Sequence, residues 1–340
     1  MTDLNTKLEI FDAIAARRNE RRGFLRFAGG SALAIGGASL LAACGNDDAD
    51  LAPTPTPGPT PAATLSDADV LNVALNLEYL EAQFYAVAAF GVGLNASLLT
   101  GTGTQGAVTG GAQVPFQDAV VREYAREIAI DEVAHVAFLR SALGTAAVAQ
   151  PAIDISVGTA AAPGAFTSAA RAAGVIGATG VFNPYADDNS FLLGAYIFED
   201  VGVSAYKGAA PLIANKTYLE AAAGILAAEA YHAGLIRTIL YRKGLQTPNP
   251  MPSLITAANQ ISNARDSLDG ASDIDQGITG SDPTISNIVP TDVNGLAYSR
   301  SVAQVHNIVY LTNTARIGGG FFPNGTNNRL DSLRTSGANA

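Results

Sequence analysis

Two copies of a short motif place a glutamate three residues before a histidine. Glu132 precedes His135 in IDEVAHVAFL, and Glu229 precedes His232 in AAEAYHAGLI, each within an apolar stretch that favours a helix. The chain contains 3 histidines, so these two motifs hold most of them. Residues i and i+3 lie on one face of a helix, so each motif should project its carboxylate and its imidazole into the same volume.

A second repeated motif pairs a glutamate with a tyrosine seven residues later. Glu78 precedes Tyr85, and Glu199 precedes Tyr206. Residues at this spacing also share a helix face, about two turns apart. Along the chain a Glu-x6-Tyr segment is followed by a Glu-x2-His segment, and then both occur again. This internal repetition makes the pattern far more specific than one Glu-x2-His motif would be.

Together in a helical bundle, these motifs would supply a set of four carboxylates and two imidazoles. Such a set is typical of a carboxylate-bridged pair of iron or manganese ions. Charge favours the same interpretation, because four buried carboxylates without cations would have to take up protons. The predicted cofactors are therefore two divalent metal ions, and the sequence does not choose between iron and manganese.

Four long helical patterns carry the motifs. The first begins at Ser66-Asp67, a capping signal, and ends at Gly91. The others are predicted at about 116–143, from after Asn189 to 213, and at 216–243. A Gly/Thr-rich loop, 91–115, joins the first two helices, and a longer crossover, 145–189, joins the second and third. Two helix pairs joined by one long crossover make a ferritin-like arrangement.

The predicted fold is therefore all-α, a ferritin-like four-helix bundle with one long crossover, long Gly-rich loops and a C-terminal extension. In that extension, a short amphipathic pattern covers about 254–268, and the apolar Phe321-Phe322 turn should pack back onto the bundle. We predict a domain at 66–325 and a disordered tail at 326–340.

The chain resembles the ferritin-like superfamily, and in particular the desiccation-related proteins that carry a ferritin-like domain. The resemblance covers about residues 66–325 and rests on ALNLEYLEAQFY, EIAIDEVAHVAFLRSALG, AAEAYHAGLIR and the closing AQVHNIVYL and GGGFFPNG. The paired motifs are also similar to rubrerythrin-type and manganese-catalase-type sites. Position by position, the resemblance implies the metal ligands Glu78, Glu132, His135, Glu199, Glu229 and His232.

The resemblance also implies a role for each ligand. Glu132 and Glu229 would bridge the two metal ions, and the other two glutamates would be terminal ligands. Tyr85 and Tyr206 would lie just behind the ligands, although core aromatic residues without such a role would fit the pattern equally well. Glu81, one turn from Glu78, could compete as a ligand, but the tyrosine spacing favours Glu78, and Glu81 is expected to be solvated or to lie behind the ligands.

Three other polar residues are expected to lie apart from the metal ions. Asp131 and Asp200 each adjoin a predicted ligand but point to another helix face, so we assign them structural roles. His306 lies outside the repeats and is expected to be a packed or surface histidine.

The first 65 residues predict export to the cell envelope or periplasm. Arg21-Arg22 followed by an apolar run resembles a twin-arginine signal, and the segment ending at Cys44 resembles a lipoprotein cleavage box. We therefore expect a signal at 1–44 with a lipid on Cys44, and a Pro/Thr-rich linker at 45–65. Cys44 is the single cysteine, which excludes internal disulfides and a thiolate metal site.

The predicted activity is redox chemistry on peroxide or dioxygen, of a catalase-like or peroxidase-like kind, in stress protection. Peroxidase chemistry would need a separate electron-donor protein, since no cysteine cluster is present to hold a rubredoxin iron. No nucleic-acid partner is expected, because the net charge is −10 and no basic stripe follows the N-terminal region. A homo-oligomer is left open. The alternative function is a non-catalytic, desiccation-protective envelope protein built on the same bundle.

Overall fold

The computed structural model describes residues 64–246 and 253–338. The predicted twin-arginine signal, the lipidated Cys44 and the linker up to residue 63 lie outside the described residues. Within the described residues there are seven α-helices: α1 (Asp67–Phe90), α2 (Ala119–Leu143), α3 (Ala165–Ala172), α4 (Asp188–Ala209), α5 (Lys216–Gly244), α6 (Leu254–Asp269) and α7 (Val302–Val309). No helix in this part of the chain is both long enough and apolar enough to cross a membrane.

The four long helices confirm the predicted bundle, with small shifts at their ends. Ser66 caps α1 in a reciprocal capping box with Asp69, and Gly91 ends the helix with a left-handed φ of 73°. Helix α2 begins three residues later than predicted, because the Asp118 side chain accepts hydrogen bonds from the first backbone N–H groups. Helix α4 ends before residue 213, because Pro211 lacks the N–H group that would continue it.

Helix α1 lies at the centre of the molecule. It packs mainly against α2, while α4 packs mainly against α5, and the two pairs face each other. Of its 24 residues, 20 are buried, as expected for a helix that is apolar on every side. Polar residues on α1, Glu78 and Glu81 among them, are therefore shielded from solvent as well.

The long connections are attached to the bundle by a short sheet and an aromatic cluster. Strand β1 (Val108–Gly110) in the first loop pairs in parallel with β2 (Ile153–Ile155) in the crossover. Phe166 of α3 lies 5.3 Å from Phe84 of α1 and 5.2 Å from Phe321 of the C-terminal extension, between ring centroids. Phe321 is fully buried, so the predicted return of the Phe321-Phe322 turn onto the bundle is confirmed.

The predicted disordered tail at 326–340 is wrong for the described residues 326–338. Asn327 exchanges two hydrogen bonds with Asn76 of α1, and its side-chain amide donates to the carbonyl oxygens of Thr104 and Ala149. The tail composition is polar, but these polar groups satisfy buried partners on three segments. That long-range pairing could not be read from local sequence.

A buried network of three arginines and three aspartates ties the C-terminal extension to α4. Asp200 of α4 accepts hydrogen bonds from Arg237 of α5, at 2.7 Å, and from Arg265 of α6, at 2.8 Å. Arg300 donates to Asp269 of α6 at 2.7 Å and to Asp275. Opposite charges balance within the network, which is the condition for burying so many ionised groups.

Candidate metal centre

All six predicted ligands converge between the two helix pairs. Glu78 comes from α1, Glu132 and His135 from α2, Glu199 from α4, and Glu229 and His232 from α5. Their donor atoms form two groups, and within each group they lie within 4.8 Å of one another: Glu78, Glu132, His135 and Glu229, then Glu132, Glu199 and His232. Each group holds one histidine, and Glu132 belongs to both groups.

The first group surrounds the Nδ1 atom of His135. This atom lies 3.2 Å from Oε2 of Glu78, 3.4 Å from Oε2 of Glu132 and 3.7 Å from Oε1 of Glu229. Three carboxylates from three different helices therefore face one imidazole nitrogen. That convergence requires the pairs α1–α2 and α4–α5 to be packed against each other.

The second group surrounds the Nδ1 atom of His232. This atom lies 3.0 Å from Oε1 of Glu132 and 3.7 Å from Oε2 of Glu199. The two oxygens of Glu132 thus face different histidines, Oε2 toward His135 and Oε1 toward His232. The two imidazole rings lie 6.3 Å apart between centroids. A carboxylate with one oxygen facing each of two imidazole nitrogens has the geometry that a bridging ligand would need.

The two tyrosines connect the helix pairs in a reciprocal way that the sequence did not predict. The Tyr85 hydroxyl of α1 donates to Glu199 of α4, and the Tyr206 hydroxyl of α4 donates to Glu78 of α1. Each tyrosine therefore holds the glutamate of the opposite helix rather than the one in its own motif. These bonds leave the second oxygen of each glutamate turned toward the histidines.

Burial dominates the acidity of most of the carboxylates. It raises the pKa of Glu78 to about 7 and that of Glu199 to about 8. Burial and then the neighbouring carboxylates raise the pKa of Glu229 and Glu81 well above the usual range. Burial also acts to raise the pKa of Glu132, but the two imidazoles outweigh it, so this pKa is lowered.

The histidines titrate far above their ordinary range. Burial opposes their charge, but the carboxylates of Glu78 and Glu132 outweigh it and raise the pKa of His135 to about 10. Asp131 and Glu132 have the same effect on His232, whose pKa is raised to about 11. The metal-free centre therefore holds protons on its imidazoles at neutral pH.

The residues present fit a metal centre on their own geometry. Among the described residues, several buried side-chain atoms of the cluster make no well-formed hydrogen bond: both oxygens of Glu132, both of Glu229, Oε2 of Glu199, and Nδ1 of His232, which lies 3.0 Å from Oε1 of Glu132. Buried polar atoms without partners are costly and uncommon in native proteins. Divalent cations would satisfy these oxygen and nitrogen atoms together.

Asp131 lies closer to the centre than the sequence indicated. Its Oδ2 atom is 3.5 Å from Nε2 of His232, on the side of the ring opposite the carboxylates. A carboxylate at this position orients an imidazole so that its other nitrogen faces the metal. The repeat concealed this role, because the residue before Glu229 is Ala228 and carries no equivalent group.

Glu81 and Gly202 also belong to the surroundings of the centre. Glu81 is only 5% exposed and interacts with the charges of four ionisable cluster members, so it is not a solvated residue. A Cβ atom on Gly202 of α4 would lie 2.2 Å from Oε2 of Glu229 and 3.5 Å from Oε1 of Glu81. The missing side chain thus makes room for the Glu229 carboxylate, and the i+3 spacing from Glu199 is the only sequence signal for it.

Asp200 and His306 lie apart from the centre. Burial acts to raise the pKa of Asp200, but Arg237 and Arg265 outweigh it and lower this pKa. His306 is buried on α7, with Nε2 at 3.0 Å from the Thr326 hydroxyl, and burial lowers its pKa to about 4. It is a packed, uncharged histidine at neutral pH.

Known proteins resemble the chain over this same region. The family model of the ferritin-like domain matches residues 66–242. The ferritin-like catalase Nec2 of Nesocodon mauritianus is 27% identical over 272 residues, covering 78% of this chain and 85% of that protein. The desiccation-related protein PCC13-62 of Craterostigma plantagineum is 32% identical over 245 residues, covering 69% of this chain and 75% of that protein. No solved structure is significantly similar to the chain.

Proposed function

The chain belongs to the ferritin-like domain family, and from this premise we propose that its centre binds two iron or manganese ions and disproportionates peroxide. The observation that carries the proposal is the position of Glu132, with one carboxylate oxygen toward each histidine. The proposed ligands are Glu78, Glu132, His135, Glu199, Glu229 and His232, with Glu132 as a bridge. Glu229 is the second proposed bridge, because it enters the cluster from the opposite helix pair.

Two bound redox-active ions would accept two electrons from one peroxide molecule and return them to another, with dioxygen and water as products. The protein's own groups would hold this chemistry in place. Asp131 orients the His232 ring, and the Tyr85 and Tyr206 hydroxyls fix Glu199 and Glu78. The hydroxyl proton of Tyr206 points at Oε1 of Glu78, where it can be shared with that carboxylate.

Peroxide disproportionation is favoured over the alternatives because it needs no electron donor. Peroxidase chemistry would need a separate donor protein, since the single cysteine cannot hold a rubredoxin iron. A relative that is named a ferritin-like catalase supports this choice. If the centre binds iron, oxidation of a substrate by dioxygen is the main alternative reaction.

We expect Glu132→Ala and His232→Ala to lose bound metal and peroxide turnover while keeping most of their helix content. The measurements are metal content by mass spectrometry, on protein purified without chelators from cells given both metals, and oxygen evolution from peroxide. The matched control is Glu123→Ala, because Glu123 is an exposed glutamate of α2, the helix that carries Glu132. About two manganese ions per chain would support disproportionation, and about two iron ions would favour oxidase or peroxidase chemistry. A wild-type protein that binds no metal, even on reconstitution, would overturn the proposal.

A non-catalytic protective role is the second candidate, favoured by the relative that is named a desiccation-related protein. Metal ions would then serve to staple the four helices together. Bound metal without peroxide turnover, together with a melting temperature that falls on chelation, would select this role. An unchanged melting temperature would argue against the staple.

We also propose that the protein is exported and held at a membrane by a lipid on Cys44. The twin-arginine and cleavage-box resemblances support this proposal. The Cys44→Ala variant should move from the membrane fraction to the soluble fraction of fractionated cells. Wild-type protein that is found in the soluble fraction would contradict the lipid anchor.

A further inference from the structure

Any small molecule that reacts at the centre must pass between packed side chains. Glu78, Glu132 and Glu229 are each 0% exposed. The long helices surround these carboxylates, so a route has to run through a helix–helix contact. Such a route requires a cavity lined both by partly exposed residues and by a residue bonded to the cluster.

One cavity of about 20 Å³ lies where α1, α4 and α7 meet. Helix α1 contributes one wall, formed by Val70, Val73, Ala74 and Leu77. Helix α4 contributes the opposite wall through Ala205, Tyr206 and Ala209, and α7 closes the side with Val302 and Val305. The small side chains of the alanines on both long helices leave the space between these walls unfilled.

The inner end of the cavity is Tyr206, whose hydroxyl donates to the Glu78 carboxylate. A molecule in the cavity would therefore be separated from the cluster by one side chain. The outer end is formed by Ala74, Ala209 and Val302, which are partly exposed, whereas Val70, Val73 and Val305 are buried. The cavity thus lies between partly exposed residues and one residue that is bonded to the cluster.

Size and polarity restrict what the cavity can admit. A volume of this order holds about one molecule the size of water. Its walls are apolar except for Arg300, whose guanidinium already donates to Asp269, Asp275 and Ser204. With that charge engaged by its partners, the cavity offers nothing to an anion and no room for an organic hydroperoxide.

We infer that this cavity is the access route for small uncharged oxygen species, with hydrogen peroxide entering and dioxygen leaving past Tyr206. The inference rests on the proposed function for the identity of the two molecules. The route itself rests on the cavity, its apolar walls and the bond from Tyr206 to Glu78.

The first test uses metal-free protein and dissolved dioxygen, which speeds the NMR relaxation of methyl groups that it reaches. The Val70, Val73 and Val305 methyls should relax faster under dioxygen pressure than the methyls of Leu75 and Ile128, which are also buried but line no part of the cavity. Ala74→Leu and Ala209→Leu should each remove the difference by filling the mouth. The control is Ala227→Leu, the same change at an exposed position of α5. Equal relaxation of all these methyls in the wild type would overturn the route.

The second test measures turnover in protein loaded with metal. Ala74→Leu and Ala209→Leu should lower kcat/KM for hydrogen peroxide at least tenfold, with metal content equal to that of Ala227→Leu. Full turnover in a variant whose methyls have lost contact with dioxygen would overturn the route but leave the proposed function intact. Rapid methyl relaxation in a wild type that binds no metal would support the route while the proposed function fails.

Discussion

At the residue scale, the centre depends on how one carboxylate is shared and on where a side chain is missing. Glu132 places one oxygen near each histidine, at 3.4 Å and 3.0 Å. Glu229 reaches the cluster only because Gly202 has no Cβ atom in its path. The proposed site therefore depends both on the carboxylate and imidazole side chains and on the space that Gly202 leaves for one of them.

Gly202→Ala is predicted to displace Glu229 and to lower the metal content below that of the wild type. In an open helix, alanine would be more stable than glycine by about 1 kcal/mol, but here the added carbon would lie 2.2 Å from a carboxylate oxygen. We expect at least one of the two metal ions to be lost, and peroxide turnover to fall at least tenfold. Metal content by mass spectrometry and oxygen evolution are the measurements.

The matched control is Gly234→Ala on α5. A Cβ atom on Gly234 would meet nothing within 4 Å, so this change should leave metal content unaltered and raise stability slightly. Equal metal content in Gly202→Ala and Gly234→Ala would show that Glu229 is not held as the geometry indicates.

At the scale of elements, α1 is buried on nearly every side, and the C-terminal residues form part of the protein that packs around it. Asn76 of α1 is 1% exposed, and both its amide and its carbonyl oxygen pair with the backbone of Asn327. Asn327 in turn bonds the first long loop and the crossover through its side chain. One residue near the end of the chain thus joins the central helix to the first long loop and to the crossover.

Asn327→Ala is predicted to lower the free energy of unfolding by about 2 to 4 kcal/mol. The change leaves the buried carbonyl group of Ala149 without its donor, at a cost of about 1–3 kcal/mol, and the loss of the two part-buried bonds to the Thr104 backbone adds to that cost. Urea unfolding followed by circular dichroism is the measurement. Asn324→Ala, at an exposed position of the same segment, should change stability little. Similar effects from both variants would contradict the role of Asn327.

At the scale of the whole molecule, the packing of two helix pairs concentrates charge that only cations or protons can balance. Five buried glutamates, Glu78, Glu81, Glu132, Glu199 and Glu229, share this core with two histidines. The raised pKa values of the histidines show that protons provide part of the balance in the metal-free protein. Metal ions would have to displace those protons.

Metal binding is therefore predicted to release protons and to strengthen as pH rises from 6 to 8. His135 and His232, with pKa values of about 10 and 11, are charged throughout this range and must each lose a proton to bind metal through Nδ1. Glu78 and Glu199, with pKa values of about 7 and 8, lose further protons. Release of two protons corresponds to an apparent Kd that falls roughly 100-fold for each pH unit, and release of more protons makes the fall steeper.

Calorimetric titration of metal-free protein with manganese, in buffers of different ionisation enthalpy, counts the protons released. In the Asp131→Asn variant, the imidazole of His232 should lose its proton at a lower pH than in the wild type. The reason is that Asp131, one of the groups that raise the pKa of His232, is gone. A Kd that does not change with pH would contradict the predicted displacement of protons.

Much of the fold and of the cluster of candidate ligands could be predicted from the sequence, because both depend on local periodicity. Apolar runs with capping residues such as Ser66 and Gly91 define helices, and i+3 spacing determines that Glu132 and His135 share a face. Two copies of the same local pattern then predict a shared site. These features need no knowledge of which segments meet.

Only the tertiary structure decided which groups meet across helices. Four features join residues that are far apart in the chain. They are the reciprocal tyrosine–glutamate hydrogen bonds between the helix pairs, the position of Asp131 behind His232, the space left by Gly202 and the burial of Asn327. Such contacts depend on the register and the distance between packed helices. The periodicity of a helix shows which residues share a face, but it does not show which residues of another helix that face will contact. The sequence by itself determined which residue types form the candidate site and which helix faces carry them, and packing determined how these residues are oriented and how their charges are balanced.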